Sequence, residues 1–394
     1  MREVRTTPLK FIGKIVSGGT PKSDAENWDG DTPFVTPPDL NGVDGGLVER
    51  WERSITDQGR AGSAVVENAM LLSCRAPIGH IGFVEDPVAF NQGCKAIIPE
   101  RREDLRYLGH ALVAHRAALQ AAGRGTTFLE LSTTELASFE IPWPEPDVRL
   151  AIADYLDREI GEINAMIAKL DEMVGTLGKR RIAVIDRVFL STPESPTVAV
   201  HLLADVTVGI VIEPSKLYVP QGAGVPALRG LNIAPGRILS ENIVDISHEG
   251  HRAHSKSELR RGDVVTVRTG RVGTTAVVTE EWDGSNAIDL VITRLHDGID
   301  ARFFYWYLTS SVARAQIDNE SVGSVQSHFN VGALNRLRVP AVDPDEQNRI
   351  AERLDEVTGR IDEMLAKVAD LTELLLERRS ALISDVVTGR KDIP

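Results

Sequence analysis

The sequence predicts an α+β chain organised as a pseudo-twofold tandem repeat, in which two sheet-rich α/β domains are joined by two long helices forming an antiparallel coiled coil. Three observations predict it. Residues 142–191 superpose on residues 340–389 at a constant offset of 198 with no gap, so that Leu156, Asp157, Gly161, Ile163, Arg181 and Val188 meet Leu354, Asp355, Gly359, Ile361, Arg379 and Val386. Both copies carry apolar residues in alternating steps of three and four, the mark of a helix packed lengthwise on another helix. The segments ahead of the two helices also share a weaker order of motifs, so the duplication covers whole units.

A chain of 394 residues exceeds what one core usually serves, and the repeat supplies the division into 1–141, 142–191, 192–339 and 340–394. No apolar run approaches the roughly 20 residues of a membrane span, and the opening MREVRTTPLKFIGK lacks a signal-peptide core, so a cytoplasmic location without membrane contact is expected. Cys74 and Cys94 are too few to staple the chain or to complete a zinc site, and are read as buried thiols. The net charge is −13. Residues 1–141 carry 15 basic and 19 acidic side chains, whereas 340–394 carry 8 and 13, so the acidity is concentrated toward the helices. That balance by itself argues against a nucleic-acid partner, because phosphate attraction needs basic surface.

Within each domain, short β-branched runs such as VVTVRT and TAVVTE alternate with Gly and Pro turns, which predicts substantial sheet. TPFVTPPDLNG at 32–42 is echoed by VPALRGLNI at 225–233, and LLSCRAPIGHIGFV at 71–84 by VVTVRTGRVGTTAVV at 264–278. Helices are expected over 107–119 and 302–315. The long helices follow Pro-rich segments, where proline ends the preceding structure and acidic residues suit a helix start. The first seam runs Leu156, Ile160, Ile163, Ile167, Leu170, Val174, Leu177, then Val184 and Val188. The second runs Leu354, Thr358, Ile361, Leu365, Val368, Thr372, Leu375, then Leu382 and Val386. Two matched seams predict mutual pairing, and about 40 residues would make a rod on the order of 60 Å long, with the preceding domains at its opposite ends. Arg181 and Arg379 interrupt the seam at equivalent positions, and are read as snorkelling to water in preference to setting register.

Several chemistries lack their residues. No Lys has an acid two positions before it, as one common nuclease motif requires, and no GxxxxGK[ST] phosphate loop occurs. Thr36-Pro37-Pro38-Asp39 differs at both ends from the Asn/Asp-Pro-Pro-aromatic loop of amino-group methyltransferases. His248, His251 and His254 recur at spacing three, but the neighbouring Gly and Arg predict an exposed polar loop and no metal site.

SGGTPK at 17–22, DTPFVTPPDL at 31–40, NQGCKAIIP at 91–99, the GTTFLEL to IPWP run and the two heptad helices together resemble the specificity subunit of type I restriction-modification enzymes over essentially the whole chain. The resemblance implies two target-recognition domains reading the halves of a split, asymmetric double-stranded DNA site. It also implies helices that bind two methyltransferase subunits, with restriction and translocase subunits joining through the complex. Catalysis would then lie in the partners, which would carry S-adenosylmethionine, ATP and magnesium, with no cofactor or metal in this chain. Base reading favours Arg, Asn and Gln for their paired hydrogen-bonding groups. Candidates beside turns are Lys22, Thr36, Asp39, Arg75, Arg124 and Thr127 in the first domain. Arg229, Arg268, Arg271, Ser324, Gln326 and His328 form the second set. The competing reading from a different class is a coiled-coil protein scaffold that binds no DNA, and a third is a fused enzyme that cuts or methylates by itself.

Overall fold

The computed structural model describes residues 5–75, 77–123, 130–190, 196–320 and 331–393. The chain divides into two compact units, Met1–Leu170 with Ala369–Pro394, and Asp171–Val368.

The first unit contains strands β1 (Thr6–Pro8), β2 (Gly13–Ser17), β3 (Trp28–Val35), β4 (Arg53–Ile55), β5 (Ala64–Val66), β6 (Ala69–Ser73), β7 (Ile81–Val84), β8 (Val88–Phe90), β9 (Cys94–Pro99) and β10 (Glu140–Pro142). Its short helices are α1 (Leu105–Ala114), α2 (Arg116–Ala122) and α3 (Thr133–Ser138). One antiparallel sheet has the order β2-β9-β6-β7, and a second the order β4-β3-β8-β5 with β3 and β8 parallel. Strand β6, AMLLS, is buried along its whole length because it is central and covered on both faces. Cys74 and Cys94 are free and buried, and burial pushes the Cys74 thiol up to about 12 and the Cys94 thiol higher still. Both thiols therefore stay protonated and act as small apolar groups.

Helix α4 (Pro146–Leu190) begins at a proline, whose fixed φ and missing N–H suit the first helical position. Its first half belongs to this unit and packs against the end of the helix at Pro344–Val387. Leu156 and Ile163 share a core with Leu375, Leu382 and Ile383. Arg379 reaches Asn164, while Ile383 lines a cleft with Ile160 farther back along α4, so the two segments run antiparallel here.

The second unit repeats the plan. Its strands are β11 (Thr197–Ala199), β12 (Ala204–Val208), β13 (Tyr218–Val219), β14 (Val225–Leu228), β15 (Ile233–Ala234), β16 (Arg237–Ile238), β17 (Val244–Ile246), β18 (Val264–Val267), β19 (Thr275–Val277), β20 (Asn286–Ala287), β21 (Leu290–Leu295) and β22 (Arg338–Pro340). Its helices are α5 (His248–Ala253), α6 (Ala301–Thr309), α7 (Ser311–Glu320), α8 (Val331–Arg336) and the part of α9 (Pro344–Val387) up to Val368. The sheet order β12-β21-β18-β19 reproduces β2-β9-β6-β7, and β14 pairs with β20 in parallel as β3 does with β8. Within this unit Ile185 and Phe189 of α4 share a core with Ile350, Ala351 and Leu354 of α9, while Arg181 meets Asp362, again antiparallel.

Five expectations need correction. Val174 is 43% exposed rather than in the seam and Leu365 is half-buried, whereas half-buried Ile160, Ile167 and Leu170 do pack against the core shared by the two helices. Beyond Leu177 the seam broadens, with Ile185 and Phe189 buried and Val184 and Val188 half-buried against the same core, because a straight helix drifts from a 3.5-residue repeat. The helix expected over 107–119 breaks at His115, whose imidazole bonds to the Ala111 carbonyl. That over 302–315 breaks at Ser310, which caps α7 by accepting the Ala313 amide. His248–Ala253 is a helix capped by Ser247 rather than a loop, and His251 bonds to Asn286 while His254 bonds to the Gly250 carbonyl. Finally, Arg181 and Arg379 do not snorkel. Arg181 pairs with Asp362 at 3.0 Å, and Arg379 with Asp44 at 2.7 Å and the Asn164 amide oxygen at 3.1 Å. Asn164 and Asp362 stand at the same repeat position, so each helix pair is pinned at one equivalent point, the register role that the sequence left open.

Candidate nucleic-acid interface

Where each sheet domain meets its helices, one carboxylate of the long helix organises the contact. In the first unit Asp157 accepts Arg106 at 2.8 Å and the His110 ring at 2.7 Å. In the second its repeat equivalent Asp355 accepts Arg302 at 3.2 Å and the Trp306 indole N–H at 2.8 Å. Histidine and tryptophan thus fill one role, presenting a ring N–H from a buried helix face.

Burial acts to raise the Asp157 pKa, but its bonds and charge contacts with His110 and Arg106 outweigh burial and hold it below the ordinary carboxylate value of 3.8. A depressed folded-state value means that the contribution of Asp157 to stability is complete above 3.8 and is lost as pH falls through the still lower folded value. Denaturant titrations over a pH series should therefore show the stability gap between wild type and Asp157→Asn narrowing below about pH 4. A gap that stayed constant down to pH 2 would contradict the assignment.

Among the sequence-predicted readers, Lys22 follows a turn that only glycine fits, since a Cβ on Gly18 would collide with the Asn91 carbonyl. The Lys22 side chain is exposed, and its carbonyl accepts the Asn27 amide and the Trp28 indole N–H. Thr36 and Asp39 bond to each other, with Asp39 accepting the Thr36 hydroxyl at 2.6 Å, the Thr36 amide at 2.7 Å and the Glu52 amide at 3.1 Å. Both side chains therefore cap the turn Pro37–Leu40. Arg229 and Asn232 repeat this arrangement, the Arg229 amide donating to Asn232. Arg75, at the exit of β6, pairs with Glu130 at 3.3 Å, and its counterpart Arg268, at the exit of β18, pairs with Asp289 at 3.4 Å.

The second domain gathers its three described candidates. Gly230, beside Arg229, packs on Val267, and Arg271 donates to the Ile233 carbonyl, which brings Arg229, Arg268 and Arg271 around the turn after β18. Gly270 and Gly273 have φ of +85° and +81°, conformations that a side chain would strain. In the first domain Lys22, Thr36 and Asp39 gather about β3 and β4, whereas Arg75 belongs to the other sheet. Arg124, Thr127, Ser324, Gln326 and His328 lie outside the described residues. Sequence reasoning missed Arg53, whose guanidinium lies 3.5 Å from the centre of the Trp28 ring. Two residues 25 apart give no local signal of that pairing.

The type I restriction modification DNA specificity domain family matches residues 1–172 and 233–370. The chain belongs to this family. Among relatives, the specificity subunit of the type I restriction enzyme MjaIX from Methanocaldococcus jannaschii is 33% identical over 154 residues, 38% of this chain and 36% of that protein. The EcoBI specificity subunit of Escherichia coli is 22% identical over 329 residues, 74% of this chain and 69% of that protein. Two solved structures share the fold. One, from work on complex assembly and conformational transition of the type I R-M system, has a TM-score of 0.68 at 15% identity and covers 98% of both chains. The HsdS subunit of Thermoanaerobacter tengcongensis has a TM-score of 0.50 at 14% identity, covering 98% of this chain and 97% of that one. The matched residues fall in both units. Among the described residues no helix is long and apolar enough to cross a membrane.

Proposed function

We propose that this chain is a non-catalytic DNA-specificity subunit of a type I restriction-modification complex. Each sheet domain reads one half of a split, asymmetric duplex target. The exposed faces of α4 and α9 dock two methyltransferase subunits, and restriction and translocase subunits join through that assembly. S-adenosylmethionine, ATP and magnesium belong to those partners.

One observation carries the proposal. The two units repeat the sheet order and the carboxylate contact between domain and helix, yet differ in the side chains at matching turns: Thr36 and Asp39 in the first stand where Arg229 and Asn232 stand in the second, which also adds Arg271. A repeated frame supports repeated partner contacts, and unequal turns support unequal half-sites, as unlike modules on a duplex require. The acidic helices should meet basic partner surfaces, with the partners supplying much of the phosphate attraction.

Exchanging residues 1–141 for those of another family member, in the complex co-expressed with its methyltransferase, tests the reading. Sequencing of modified bases should show one half of the methylated motif changed and the other kept. Change in both halves, or in neither, would refute it.

A further inference from the structure

We infer that Arg53 is the guanine-reading arginine of the first domain, held flat for that contact by Trp28; the inference rests on the DNA reading above. Arg53 is exposed on β4, an edge strand, and its guanidinium carbon lies 3.5 Å from the centre of the Trp28 ring. At that distance the planar cation stacks on the indole face, a contact open to Arg and poorly matched by Lys.

The ring beneath is fixed. Trp28 is 8% exposed, donates its indole N–H to the Lys22 carbonyl at 2.9 Å, and meets Phe34 edge-on with centroids 5.2 Å apart. The stacked plane is therefore positioned before any ligand arrives, which is what a two-pronged contact to the O6 and N7 of guanine needs.

Arg53 is also uncommitted. In the same unit Arg60, Arg75, Arg101, Arg102, Arg106 and Arg116 each sit against a carboxylate, whereas Arg53 has no carboxylate partner among the described residues. Two acids of the same region are engaged elsewhere: both Asp39 oxygens accept hydrogen bonds, and Glu26 accepts Gln58. The same tryptophan donates its indole N–H to the carbonyl of Lys22, a second exposed cation of this domain.

The second unit lacks the device. The strand pairing persists, with Tyr218 opposite Ile246 as Trp28 is opposite Ile55, but Ala227 stands in place of Phe34 and Val244 in place of Arg53. A feature present in one unit and absent from its repeat is where two readers of different half-sites are expected to differ.

The test is modified-base sequencing of the co-expressed complex with wild type, Arg53→Ala and Arg53→Lys. Both variants should lose discrimination for guanine at one position, by about 5- to 150-fold, the range for one two-pronged base contact. That position should lie in the half that responds to exchange of residues 1–141. Retention of the other half-site shows that the variants fold and assemble. Guanine preference preserved by Arg53→Lys, an unchanged motif in Arg53→Ala, or equal weakening at every position would each overturn the assignment. Absence of any split motif with the wild-type chain would instead defeat the DNA reading itself, before any variant is compared.

Discussion

Arg149→Ala is expected to destabilise the first unit by about 3–5 kcal/mol, the cost of stranding a buried charge. Arg149 is 5% exposed and Asp104 3%, and the two form a two-pronged pair with both N···O distances at 2.8 Å. The same guanidinium donates to the Pro144 carbonyl at 2.6 Å and lies over the Trp143 ring at 4.3 Å, so it joins the start of α4 to the entrance of α1. The second unit makes this joint with a neutral group. Gln347, at the repeat position of Arg149, accepts the Asp300 amide at 2.9 Å and donates to the Gly298 and Val342 carbonyls. Arg149→Gln should consequently remain strongly destabilising while Asp104 stays a carboxylate, and adding Asp104→Asn should recover a large part of the loss. Denaturant unfolding of the four proteins of this cycle measures it, and a double variant no more stable than Arg149→Gln would show that the buried charge is not the cause.

Trp306→Ala should cost the second unit a similar amount, about 3–5 kcal/mol, from the cavity left by a large buried ring. Trp306 is 4% exposed, packs against Tyr305 with centroids 4.7 Å apart, and donates to Asp355. Trp306→His should cost less, because the first unit already satisfies the equivalent aspartate with His110. Equal losses for the two variants, measured by denaturant unfolding, would mean that the ring N–H contributes nothing.

The parts of the fold legible in the sequence are those written locally or periodically. Proline at the head of α4 and α9, the spacing of Leu156, Ile163 and Leu177, and the 198-residue offset need no knowledge of distant neighbours. What escaped depends on partners far along the chain. Arg181 and Arg379 looked like interruptions because Asp362, and Asp44 with Asn164, are remote in sequence. Helix breaks at His115 and Ser310 follow from single side chains bonding to backbone, which periodicity does not register. At the candidate interface, the sequence located the turns but not the state of their side chains. Thr36 and Asp39 bond to each other, and Arg75 and Arg268 hold carboxylates, while the stacked Arg53 had no signature at all.

The first unit is assembled from two lengths of chain, whereas the second is one continuous stretch. During synthesis, Leu156 and Ile163 emerge long before Leu375, Leu382 and Ile383, the residues that cover them. At about 5–20 residues per second that wait is on the order of 10–40 s. The domain made first is thus the one finished last, and loss of residues beyond 369 would injure the domain nearest the amino terminus. An apolar helix face left waiting for that time is a target for chaperones, and premature chain termination would expose it permanently.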